Sequence, residues 1–74
     1  MNALDAVKEV MRMRGVKQIE LADRIRVKQS TLSERMSQKN VSVQKLDEML
    51  NAMDYKIVIV PRNSKVPENG FEVE

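Results

Sequence analysis

The chain has no cysteine and no histidine, and each absence removes a class of chemistry. Without cysteine there is neither a disulfide framework nor a thiolate metal site, and without histidine the commonest metal ligand and neutral-pH proton carrier is missing. Long apolar runs are lacking too. No stretch approaches the roughly 18 residues of a membrane span, and Met1-Asn2-Ala3-Leu4-Asp5 has no basic flank leading into an apolar segment. Only two glycines occur, with no glycine-rich phosphate loop and no internal repeat. The acids Asp47, Glu48 and Asp54 lack convergent partners, and nothing pairs a nucleophile with a base. The expectation is a cytoplasmic protein that is no enzyme and carries no cofactor or metal.

What is present suits a folded domain. The 74 residues, 42% apolar and 32% charged, are enough for one small domain and too apolar for a disordered chain. Its core is either helical and tidy or completed by another chain. The net charge of +2 conceals an uneven distribution. Residues 12–45 hold nine bases (Arg12, Arg14, Lys17, Arg24, Arg26, Lys28, Arg35, Lys39, Lys45) against three acids, Glu20, Asp23 and Glu34. Residues 63–74 hold Lys65 against Glu68, Glu72 and Glu74. A basic middle followed by an acidic tail points to a polyanionic partner for the middle, although a solvated helical surface would carry the same charges.

Helical spacing organises the first two thirds. Leu4, Val7, Val10 and Met11 define a helix over residues 3–14, with Asn2 as N-cap and Gly15 as its stop. Ile19, Leu21, Ala22 and Ile25 predict a short helix over 18–25, and a third follows over 29–37 after Arg26-Val27-Lys28. On that third helix Leu32, Arg35 and Met36 share one side, while Gln29, Ser30, Ser33, Glu34 and Ser37 fill the other. A fourth helix is predicted over 43–53, capped by Ser42, with Val43, Leu46, Met49, Leu50 and Met53 as its apolar stripe. The six methionines read as adaptable core fillers.

The pattern then changes. Tyr55-Lys56-Ile57-Val58-Ile59-Val60 is β-branched and ends at Pro61, which predicts a strand. A lone strand needs a partner, and the simplest source is a second copy of the chain; folding back along its own helices is the alternative. Residues 62–74 show no period and are expected to form a flexible tail.

The most informative stretch runs from Lys17 to Met36. Two short helices joined by a brief turn form a bracket whose second member enters a major groove while the first crosses the backbone. The bracket requires a small residue where the helices cross, supplied by Ala22, and an apolar clamp on the turn, supplied by Ile25, Val27 and Leu32. With Gln18 opening the first helix, Leu21-Ala22 inside it, Val27 in the turn and Gln29-Ser30-Thr31-Leu32-Ser33 opening the second, the stretch resembles the helix-turn-helix of lambda-repressor/Cro-type (XRE family) transcriptional regulators. In weaker form the resemblance extends from about Leu4 to Val60.

The resemblance implies a mainly α fold, a four- to five-helix lambda-repressor-like DNA-binding domain (residues 1–54), plus one C-terminal β-strand (residues 55–61) paired across a homodimer through Tyr55, Ile57, Val58, Ile59 and Val60. It implies that Gln18 caps the first helix, donates to a phosphate and supports Gln29, whose amide can pair with adenine. Ser30 and Ser33 would face bases or phosphates, Lys28 and Thr31 the backbone, and Asn40 a loop contact. Lys39 joins this DNA-binding set, though it and Lys45 serve solubility as readily as phosphate binding. The family usually has glycine at the position of Arg26, because the turn favours a positive φ, so Arg26 is expected to be strained and to offset this through a phosphate. Glu34 stands where arginine is frequent and would accept from cytosine or repel phosphate. Arg35 stands where a large apolar side chain is common; its stem can pack while its head reaches the DNA backbone. The function implied is sequence-specific binding to a near-palindromic double-stranded operator, repressing a phage, mobile-element or bacterial operon. An antitoxin or phage-encoded inhibitor that binds a partner protein such as a toxin through its tail is the alternative.

Overall fold

The computed structural model describes residues 1–74. Four helices follow one another: α1 (Ala3–Arg14), α2 (Gln18–Arg24), α3 (Gln29–Met36) and α4 (Val43–Asn51). Their starts follow from local chemistry. Asn2 accepts from the Asp5 N–H at 2.8 Å while Asp5 accepts from the Asn2 N–H at 3.2 Å, a reciprocal cap on α1. The Ser42 hydroxyl accepts from the Lys45 N–H at 3.2 Å at the head of α4.

Three helices end in the same way. After α1, α2 and α4 a residue in the left-handed region closes the last turn: Gly15 (φ 64°), Arg26 (φ 59°) and Asp54 (φ 63°). In each case its N–H reaches back three residues, to Arg12, Asp23 and Asn51, and the next N–H reaches back five, to Met11, Ala22 and Leu50. This double closure is the Schellman turn. Only Gly15 adopts it without steric cost. The positive φ expected at Arg26 is therefore present, and Asp54 repeats it where the sequence carried no glycine to announce it.

The core draws Leu4, Val7 and Val10 from α1, Leu21 and Ala22 from α2, Leu32 and Met36 from α3, and Met49, Leu50 and Met53 from α4 and its end. α1 packs chiefly on α4, and α2 on α3. The methionine reading holds for Met36, Met49 and Met53; Met1 and Met13 lie outside on the surface. Two members of the expected apolar stripes are also outside: Ile19 is 58% exposed and Val43, in the first turn of α4, is 73% exposed. No other element covers either position.

The single chain has four helices, no fifth, and no strand. Tyr55 still packs on the core and its N–H closes the turn after α4, but residues 55–60 have no regular secondary structure. From 56 to 60 no backbone group makes a hydrogen bond. The physical reason is that a ladder needs a second strand, and a four-helix domain offers none. The tail makes turns at Pro61–Ser64 and Pro67–Gly70, half-buries Phe71 against the core, and donates from the Glu74 N–H to the Met1 carbonyl at 2.9 Å. Between the tail, residues 57–60 and the α1–α4 surface at Ala6 and Leu50 lies a mainly apolar cleft of about 650 Å³.

Candidate nucleic-acid interface

α2 and α3 meet at a turn of Ile25, Arg26, Val27 and Lys28. Ala22 is 2% exposed and Leu21 and Leu32 are fully buried, while Ile25 and Val27 pack on the same cluster. The small residue and the apolar clamp thus lie where the bracket needs them. α3 has eight helical residues, and a helix with its side chains is about 10–12 Å across, which suits the roughly 12 Å width of a major groove. Its buried side is Leu32 and Met36; Gln29, Ser30, Thr31, Ser33 and Glu34 are exposed, as are Lys28 just before it and Lys39 and Asn40 just after. Most of the expected contact residues are therefore open to solvent.

Two of them differ. Arg35 turns inward: its side chain is only 11% exposed and its guanidinium faces Glu48 of α4 at 3.7 Å. One nitrogen, Nη1, is buried without a hydrogen bond. The head that the sequence reading sent to the DNA backbone is held between α3 and α4, because its position on the helix is on the core side with Leu32 and Met36. Gln18 is the first residue of α2 rather than its cap; the cap is Lys17, whose N–H is held by the Glu20 carboxylate at 3.2 Å. The Gln18 side chain is half-buried and makes no hydrogen bond, which leaves its amide uncommitted.

The nine bases of residues 12–45 divide by partner. Arg12 pairs with Glu9 one turn back, its Nε donating at 3.0 Å. This hydrogen bond holds the Glu9 carboxyl below its usual range and raises the guanidinium correspondingly. Arg14 donates to the Met53 carbonyl and lies 3.4 Å from Asp54, and Arg24 donates to the Ala52 carbonyl. Arg35 faces Glu48. Lys17, Arg26, Lys28, Lys39 and Lys45 have no intramolecular partner and are exposed. Of these five, Lys17, Arg26 and Lys28 lie on the bracket, Lys39 follows α3 and Lys45 is on α4. Lys17 was not among the contact residues expected from sequence, because a cation's freedom depends on which others are engaged.

A short helix buried by Ala22 against a second helix with an exposed polar face, flanked by uncommitted cations, defines a DNA-binding helix-turn-helix protein. The helix-turn-helix family model matches residues 7–60, and the chain belongs to that family, as a transcriptional regulator of the XRE type. No curated protein and no solved structure matches it. No helix is long and apolar enough to cross a membrane.

Proposed function

We propose that the protein is a homodimeric repressor that reads a near-palindromic operator, one half-site per protomer, and acts by occluding it. The observation that carries this reading is the juxtaposition of a committed reading surface with an uncommitted backbone. α3 offers Gln29, Ser30 and Ser33 to solvent, and residues 56–60 leave every backbone donor and acceptor without a partner. Apolar side chains accompany those groups, with Val58 57% and Ile59 95% exposed. Pairing with the same segment of a second copy would give about half of those groups partners, cover apolar side chains and join two recognition helices, as half-sites about 34 Å apart require. In this reading residues 1–54 bind DNA, 55–61 dimerise and 62–74 are an appendage. Gln29 reads a base, Gln18, Ser30, Thr31 and Ser33 support it or hold phosphates, and Lys28, Lys39 and Asn40 grip the backbone. Glu34 restricts the choice of base.

The test is selection of bound sites from random duplex DNA at about 150 mM salt, where non-specific binding is weak. A two-fold symmetric site with half-sites one turn apart is expected; enrichment of an unpaired half-site, or of nothing, would sink the dimeric reading. On the selected site, Gln29→Ala should relax one base position at a cost of about 1–3 kcal/mol, whereas Lys28→Ala should weaken all sequences alike and reduce the salt slope by about one. Titrations at several salt concentrations separate the two.

Arg26 combines both kinds of effect. Its left-handed backbone costs about 1–2 kcal/mol, and glycine would relieve that while returning about 0.4–1 kcal/mol through a looser unfolded chain. Strain relief is the larger quantity, so Arg26→Gly should raise stability by up to about 1.6 kcal/mol. The same change removes a free cation from the bracket and should lower DNA affinity. A melting curve and a binding isotherm moving in opposite directions is the expected result; affinity unchanged would show that Arg26 makes no phosphate contact.

A further inference from the structure

Two arginines from different helices converge on one short stretch of backbone. Arg14, the last residue of α1, donates from Nε and Nη2 to the Met53 carbonyl at 3.3 and 3.2 Å, and its guanidinium lies 5.7 Å from the centre of the Tyr55 ring. Arg24, the last residue of α2, donates to the neighbouring Ala52 carbonyl at 3.1 Å. Neither carbonyl accepts from a backbone N–H. Ending α4 does not require these bonds, because the left-handed turn at Asp54 already closes it through the Asp54 and Tyr55 N–H groups.

We infer that Arg14 and Arg24 are positioning residues: they clamp the joint between α4 and the 55–60 segment to α1 and to the DNA-reading bracket, and so set the half-site spacing that the dimer accepts. The inference rests on the dimeric reading above. Arg24 is the only side chain of α2 that hydrogen-bonds to the α4 end, so it ties the bracket directly to the joint. Arg14 ties the same joint to α1 and holds Tyr55, the first residue of the unpaired segment. A change in the angle of the joint changes both the separation and the orientation of the two recognition helices, and both must follow when a half-site moves by one base step, about 3.4 Å of rise and about 34–36° of turn. With the arginines gone the joint would keep its main-chain closure and the packing of Met53 and Tyr55 on the core but lose both polar ties, so it would tolerate neighbouring spacings that the clamped joint rejects.

The experiment uses the full chain and duplexes carrying the selected half-sites, with the separation changed by one and two base pairs in each direction, and a single half-site duplex as reference. For the unsubstituted protein, affinity should fall about tenfold or more on a one-base-pair change, since the second site can no longer be engaged. The Arg14→Ala/Arg24→Ala protein should bind the single half-site as before and vary less than about threefold across the spacing series. Arg14→Lys/Arg24→Lys, which keeps a donor for each carbonyl, should recover part of the discrimination. If the double alanine variant does not melt cooperatively, Arg24→Ala alone replaces it, since that side chain is exposed. A folded variant with undiminished spacing discrimination overturns the inference. A chain that sediments as a monomer or shows no spacing preference before substitution overturns the dimeric reading, and the inference with it.

Discussion

Leu32→Ala is expected to lower the unfolding free energy by about 2–5 kcal/mol, because the side chain is fully buried and its removal leaves a cavity that the helices cannot close. At about 0.05–0.15 kcal/mol per residue, a domain of this size has on the order of 4–11 kcal/mol to lose. The substitution therefore takes a large share of the total. In a thermal melt the midpoint should drop by at least about 10 °C. Leu32 also seats α3 against Leu21 and Ala22, so the recognition helix loses its placement together with the core. Ser33→Ala, one residue along on the exposed side, is the informative contrast: its melting should stay within about 0.5 kcal/mol while DNA affinity falls. If Leu32→Ala melted like Ser33→Ala, the burial of α3 on α2 would be wrong.

Val58→Lys should produce the largest change in function. The valine lies in the middle of the segment whose backbone is unbonded, and a lysine on both copies of a two-fold pair places like charges close together. The variant is expected to sediment as a monomer that still melts cooperatively, since Val58 is outside the core, but at a lower temperature than the parent because it forgoes the stabilisation that dimer formation adds. Its affinity for a complete two-half-site operator should fall by about 10²–10⁴-fold, the factor that coupled binding of two linked sites supplies. Affinity for an isolated half-site should be unaltered. A variant that stayed dimeric would move the interface away from residues 55–60.

The parts of this structure that were legible beforehand are those determined within a few residues of sequence. Asn2 with Asp5, Ser42, Gly15 and the apolar spacing of α1 to α4 act locally, and the helices start where those residues place them. The strain at Arg26 could be anticipated because a bracket turn needs a left-handed residue whatever occupies it. Features that depend on distant neighbours could not. Val43 has the right phase for burial but lies beyond the reach of the elements that would cover it. Arg35 has a polar head that suggested DNA, yet its place on α3 turns it towards Glu48. The engagement of Arg14 and Arg24 with carbonyls some 28 to 39 residues away has no local signature at all.

An unbonded segment at residues 56–60 also bears on gene control. If operator occupancy requires two copies joined through it, then below the dissociation constant of the pair the active species varies as the square of the chain's concentration. Halving the amount of protein would leave a quarter of the active form. Growth and division, which dilute a protein steadily, would release its target abruptly, with no inducer needed to time the change.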